Sequence, residues 1–248
     1  MSVRVPILYN HRVHPDDDCP PTPPVGEYCG HVSTSHFRRQ MEYLAETGCK
    51  TITYRELSRW LLDGTSIPDR AVLIDFDDGR LNVYQNAVPI MREFGFVGTV
   101  FVVSQLADGA DLGAMSRNYP AMSWKELGTL AREGWAMAAH TRTHPMLAQL
   151  FNEPGGAGKC AIEITDVRQE IEAHLGETPD WFTYPGPSWN EELEEIVKQT
   201  YHTARWWSLP GDPPHYVTRE SNPYRLPAND ICAHRSFDDF CRIIDGIF

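Results

Sequence analysis

Short apolar runs alternate with amphipathic stretches along the chain. Val5–Tyr9, Ala71–Asp75, Gly98–Val103 and Trp135–Ala139 each gather a few apolar residues between turn or polar residues, the pattern of buried strands. Trp181–Tyr184 and Thr203–Trp206 continue the series. Between the runs, Thr53-Tyr-Arg-Glu56, Ser123-Trp-Lys-Glu126 and Ser188-Trp-Asn-Glu191 each place a glutamate three residues after a hydroxyl. That spacing predicts capping boxes at helix starts, and Ser236-Phe-Asp-Asp239 is a weaker version. Segments 35–47, 82–94 and 162–175 are also helix-like, with Pro89 kinking or restarting the second. The Pro- and Gly-rich segments 15–30, 151–160 and 208–223 read as surface loops.

Strands alternating with helices predict parallel pairing. In 248 residues that gives an α/β chain, expected as one domain over residues 1–248 and built as a closed or nearly closed β/α barrel. A doubly wound open sheet is the alternative. In either, chemistry belongs at the carboxyl ends of the strands.

Composition narrows the partners. With 34 Asp+Glu against 22 Lys+Arg the formal net charge is −12, so nucleic acid and anionic membrane surfaces meet an unfavourable field. No run approaches the roughly 20 apolar residues of a membrane span, and the first residues lack a signal-peptide pattern, so a cytoplasmic protein is expected. The six cysteines are scattered without a C-x-x-C and are expected to be reduced thiols. Cys19 and Cys29, with His14 and His31 nearby, lack a zinc spacing and read as an ordinary loop.

Two segments carry candidate chemistry. In Ala71-Val-Leu-Ile-Asp-Phe-Asp-Asp-Gly79 a buried strand runs into crowded carboxylates. Such crowding raises each pKa unless a cation compensates. In an extended strand Asp77 and Asp78 point to opposite sides, so one can ligate a metal while its neighbour faces substrate. A solvated turn closing the strand accounts for the same residues. In Gly134-Trp-Ala-Met-Ala-Ala-His140-Thr-Arg-Thr-His144 another apolar strand ends in two histidines four apart. A helical turn there would bring both imidazoles to one side. Thr141 stands where a zinc-protease helix has its glutamate, so any general base comes from elsewhere.

Asp75-Phe-Asp-Asp-Gly79 and His140-Thr-Arg-Thr-His144 resemble the first two motifs, T-F-D-D-G and H-[ST]-x-x-H, of the polysaccharide deacetylase family (the NodB-homology, carbohydrate esterase family 4 group). Pro6-Ile-Leu-Tyr-Asn-His11, Val32–Tyr54, Asn86–Val103 and Phe182-Thr-Tyr-Pro185 are similar to successive stretches of a permuted branch with an N-terminal Y-H motif. The resemblance implies a distorted (β/α) barrel of seven or eight strands with one divalent ion on Asp78, His140 and His144. It implies Asp77 as the general base toward a metal-bound water, and a backbone N–H at Gly186 or its neighbour facing the oxyanion. The general acid falls on His11, with His234 as rival. Zinc heads the cofactor expectation, and cobalt, nickel or iron also suit such ligands.

The chain departs from the family pattern at three places. Asp75 replaces a threonine and would bind metal or tune Asp77. Tyr-Asn-His11 replaces Tyr-His, and Thr183-Tyr-Pro-Gly-Pro187 reshapes the loop that carries Tyr184 and Gly186. Arg225 is similar to a late arginine of the branch, expected either to orient Asp77 or to pair with a surface acid. Trp189, Trp206 and Trp207 lie where indole faces suit sugar rings, while Trp124 fits helix packing. The function implied is removal of acetyl from an N-acetylated amino sugar or glycoside. An amidohydrolase acting on a non-sugar amide or cyclic imide is the alternative, and a non-catalytic carbohydrate-binding homologue the third reading.

Overall fold

The computed structural model describes residues 3–21, 30–117, 119–207 and 212–246. The chain opens with β1 (Ile7–Asn10), β2 (Arg12–His14) and β3 (His31–Ser33), followed by α1 (Thr34–Glu46), β4 (Lys50–Thr51) and α2 (Tyr54–Asp63). Next come β5 (Ala71–Phe76), α3 (Val88–Glu93), β6 (Thr99–Val102), α4 (Ser104–Ala107), α5 (Ala114–Arg117) and α6 (Trp124–Arg132). The second half holds β7 (Ala136–Ala139), α7 (Leu147–Phe151), α8 (Gly156–Leu175), β8 (Trp181–Thr183), α9 (Glu191–Thr200), β9 (Thr203–Arg205), β10 (Asn229–Asp230) and α10 (Phe237–Asp245).

The main sheet runs β10-β1-β5-β6-β7-β8-β9, with β4 also on β5, and its pairings are parallel. Its two ends nearly meet. Leu226 N–H donates to Ala204 O at 2.9 Å and Trp206 N–H to Leu226 O at 2.8 Å. A few residues later Asn229 and Asp230 pair with Leu8 and Tyr9. The segment through Leu226 and β10 thus curls the sheet into a distorted barrel, as the sequence predicts. β2 and β3 form a separate small parallel sheet.

β5 is buried along its whole length, as a strand covered on both faces must be. Its alternate residues serve two cores. Val72, Ile74 and Phe76 pack in a cluster with Phe37, Met41 and Leu44 of α1. Ala71 and Leu73 pack in a second cluster with Tyr54, Phe101 and Trp181. Asp75 and Asp77 share the parity of that second set, so the strand carries its acids on the face lined by the inner cluster. Truncating Phe76 to Ala would cost about 3–5 kcal/mol.

Several expectations hold, among them a helix restarting at Pro89, and two need correction. Thr53 and Ser123 form the predicted capping boxes, and Ser236 accepts the Asp239 N–H. Ser188 caps no helix: Asn190 does, accepting Leu193 N–H at 2.8 Å, while Ser188 Oγ accepts Ala148 N–H at 2.7 Å. The short asparagine side chain sits directly before α9 and wins the cap. Segment 82–94 begins with a five-residue π turn, Val83–Ala87, and Pro89 then sits in the first turn of α3, where a missing N–H costs nothing. The predicted loop over 151–160 is already helix from Gly156. A Cβ at Gly156 would lie 2.2 Å from Leu150 O, so this glycine permits close packing of α8 on α7. No disulfide joins the described cysteines, and Cys29 lies outside the described residues. Among the described residues no helix is long and apolar enough to cross a membrane.

Candidate active site

Parallel pairing brings the carboxyl ends of β1, β5, β7, β8 and β9 to one mouth. His11 follows β1, Asp77 and Asp78 follow β5, His140 follows β7, Tyr184 follows β8, and Arg205 ends β9. All six line one cavity of about 760 Å³ together with His144, Gly186 and Trp207, within the usual range of a small-molecule site.

The backbone is unusual at this site. Asp78 (φ 67), Thr141 (φ 64) and His144 (φ 62) are the non-glycine residues with positive φ among the described residues. Such conformations cost energy and gather at functional sites. Gly79 continues the left-handed turn at φ 65, which is why glycine follows the paired acids. Histidines 140 and 144 are not on a helical turn, contrary to the expectation from their spacing. The loop between them is irregular, and Glu163 of α8 holds it by accepting the N–H of Arg142 and of Thr143, each at 2.9 Å. The imidazoles still converge, with centroids 4.7 Å apart.

Asp78, His140 and His144 each offer a ligand atom, all within 4.8 Å of one another. Asp78 Oδ1 is 3.5 Å from His140 Nε2 and 3.4 Å from His144 Nε2. His140 Nδ1 lies 2.9 Å from Thr183 O, an acceptor only, so Nδ1 carries the proton and Nε2 presents its lone pair. Arg80 grips the other oxygen of Asp78, Oδ2, from Nη2 at 2.9 Å and Nε at 3.2 Å. Its remaining amino group is spent on the carbonyls of Met115 and Tyr119, at 2.7 and 2.9 Å. Asp78 Oδ1 is buried with no hydrogen-bond partner. Burial raises the Asp78 pKa, but His144, His140, His11 and Arg80 together hold it well below the carboxylate range. Burial likewise depresses His144 to about 4. A charged oxygen without a hydrogen-bond partner, facing two imidazole nitrogens, fits a divalent cation with nitrogen and oxygen ligands.

Asp77 has a different environment. Arg205 Nη2 donates to both its oxygens, at 2.5 Å to Oδ2, and His11 Nε2 lies 3.7 Å from Oδ2. Burial raises its pKa and the charges of Arg205 and His11 outweigh that, so Asp77 stays ionised. Arg205 is 1% exposed, lies between the rings of Tyr9 and Phe101 at 4.5 and 4.9 Å, and its Nε is 3.3 Å from Asp75 Oδ2. Tyr54 donates to the same Asp75 oxygen at 2.7 Å. Burial pushes Asp75 up to about 7, against the pull of Arg205 and Tyr54.

The other expected residues divide. His234 does not line this cavity; it borders a separate one with Asp230, Arg235 and Asp239, leaving His11 beside Asp77. Arg225 does not bind Asp77. It pairs with Glu194 at 2.5 Å and stacks over Trp189 at 4.2 Å. Arg205 takes the place expected of it, and Arg80 and Glu163 are two further anchors that the sequence reading missed. Trp189 donates to Glu194 at 3.2 Å, behind the mouth.

The fold and site together define a curled parallel β/α barrel that carries, at its strand ends, an Asp–His–His cluster able to hold a metal ion and an arginine-bound carboxylate. Residues 65–204 match the family model for polysaccharide deacetylases. A Staphylococcus aureus poly-beta-1,6-N-acetyl-D-glucosamine N-deacetylase is 30% identical over 219 residues, covering 87% of this chain and 72% of that protein. The chain belongs to the polysaccharide deacetylase family. YxkH of Bacillus subtilis, named as a polysaccharide deacetylase, is 24% identical over 79% of this chain, and the match spans only 63% of that relative. Among solved structures, the Streptococcus pyogenes deacetylase PplD, in complex with acetate, shares the fold with a TM-score of 0.80 at 18% identity, over 98% of this chain and 99% of that one.

Proposed function

We propose that this protein hydrolyses the N-acetyl group of an N-acetylated amino sugar, with a divalent ion held by Asp78, His140 and His144. The observation that carries the proposal is the buried, unpartnered Asp78 Oδ1 facing two imidazole nitrogens, next to a second carboxylate held ionised by an arginine. Two imidazoles and one carboxylate suit zinc first, with cobalt, nickel or iron also compatible. When bound, the ion supplies Lewis acidity, polarising the amide carbonyl and lowering the pKa of water.

The chain's own groups do the rest. Asp77, oriented by Arg205, is the general base. His11, 3.7 Å from Asp77, is the general acid that delivers a proton to the departing amine. The backbone N–H of Gly186, whose neighbours Pro185 and Pro187 have none to give, stabilises the developing oxyanion, and Tyr184 walls the cavity beside it. The family membership and the similarity to a poly-N-acetylglucosamine deacetylase support an amino-sugar substrate.

The test is acetate release from N-acetylglucosamine and its oligomers after chelation and zinc restoration, with Asp77→Asn in parallel. Release that stops with chelator, returns with zinc and collapses in Asp77→Asn is expected. Turnover of simple amides or cyclic imides with no acetate from any N-acetyl sugar would move the activity to a non-sugar amidohydrolase.

A further inference from the structure

We infer that Arg12 is a binding site for an anionic group on the substrate, so that the amino sugar taken by this cavity carries a carboxylate or a phosphate. Three arginines line the cavity, Arg12, Arg80 and Arg205, against two carboxylates, Asp77 and Asp78. Arg80 is matched by Asp78, and Arg205 by Asp77 and, behind it, Asp75. Arg12 has no such match. Its Nε is buried without a hydrogen-bond partner, and among the described residues no carboxylate forms an ion pair with it.

The guanidinium is held ready for a partner. Arg12 opens β2, which pairs with β3, and Asn86 Nδ2 fixes that strand by donating to Val13 O at 2.7 Å. The Arg12 guanidinium lies over the Tyr119 ring, 3.9 Å from its centroid, and His14 meets the same ring edge-on at 6.2 Å. Arg80 in turn holds Tyr119 by its carbonyl, at 2.9 Å. A cation over a ring uses none of its N–H donors in that contact. The planar fork therefore stays available for two parallel hydrogen bonds to a carboxylate or phosphate. Arg12 is half-buried, which limits the screening of such a pair by solvent. The charge around it has the right sign. The chain carries a formal net charge of −12, yet this cavity is lined by more cations than anions, and a divalent ion at Asp78, His140 and His144 adds to the excess. A concave site of one sign focuses its field and gathers ligands of the other sign. Arg12 directly follows His11, the group beside Asp77 that faces the departing amine. The anion therefore belongs on the sugar that bears the amide, away from the acyl group.

The inference rests on the deacetylase reading for the sugar that carries the anion, so binding and turnover are measured separately. The ligands are amine products, which carry no acetyl group to lose: glucosamine, its 6-phosphate, its 1-phosphate and the uronic acid with a carboxylate at C6. Titration calorimetry on the zinc-loaded wild type gives the affinity of each anion relative to glucosamine. At least one is expected to bind roughly 10- to 100-fold tighter, the gain of a charge-assisted contact, and the preference should shrink with added salt. Which ligand shows it tells a phosphate from a carboxylate. Arg12→Gln should bring the ratio to about one. Arg12→Lys keeps the charge without the fork and should restore part of the preference, and thermal melting of both variants guards against a folding defect. No anion preferred over glucosamine by the wild type, or a preference undiminished in Arg12→Gln, overturns the site. Acetate release from the corresponding N-acetyl sugars is followed on the same samples. Arg12-dependent anion binding with no acetate from any of them leaves the site standing and removes the deacetylase reading. Acetate from N-acetylglucosamine with no anion preference does the reverse.

Discussion

Asp77 and Asp78 are adjacent in sequence and both buried, yet their surroundings differ sharply. Arg205 engages both oxygens of Asp77 and leaves it ionised and fixed in orientation. Arg80 engages one oxygen of Asp78 and leaves the other, unpartnered, toward His140 and His144. Two carboxylates of identical chemistry are separated by which arginine holds them and by the left-handed turn at Asp78. The pair shows that the supporting shell decides role as firmly as residue type does.

The largest effect expected is at the ligands. Asp78→Asn or His140→Ala should abolish metal binding and lower acetate release about 10³-fold or more, checked by metal analysis and rate together. Asp77→Asn should keep the metal and lose about 10²- to 10⁴-fold in kcat. Arg80→Met frees Asp78 Oδ2 and should weaken metal affinity about 10- to 100-fold, read by competition with a zinc chelator.

The smallest effect concerns Asp75. Its folded pKa, about 7, is raised above the ordinary value of 3.8. A raised pKa means the folded state holds the proton more tightly, so this contribution is present below about pH 4 and fades as pH climbs through about 7. Denaturation of the wild type should show that component of declining stability, and Asp75→Asn should lack it. Persistence of the same slope in Asp75→Asn would assign it to another group.

The strands bearing the acids and histidines were legible because β5 and β7 are apolar runs that stop abruptly at polar residues. The partners were not. Arg205 lies 128 residues from Asp77; its strand, Thr203–Arg205, falls inside the expected Thr203–Trp206, but nothing in the pattern singles out the arginine as the partner of a distant acid. Arg80 directly follows the D-D-G turn, but nothing local shows that its guanidinium folds back onto Asp78. Glu163 sits on α8 and acts across a loop by accepting backbone N–H groups, a contact set by tertiary packing alone. The spacing of His140 and His144 signals convergence but not its route: left-handed residues at Thr141 and His144, not a helical turn, achieve the approach. The pattern around Cys232-Ala-His234 resembles a last strand, but the strand lies just before it: Asn229 and Asp230 carry no apolar signal, yet they pair with the strand that presents His11.

The most direct measurement is zinc stoichiometry by elemental analysis on wild type, Asp77→Asn and Asp78→Asn purified side by side, with acetate release on the same samples. The account predicts one ion per chain in wild type and Asp77→Asn, acetate from wild type alone, and no ion in Asp78→Asn. Equal metal loss from both variants, or an ion retained by Asp78→Asn, would contradict the division of labour between the two carboxylates.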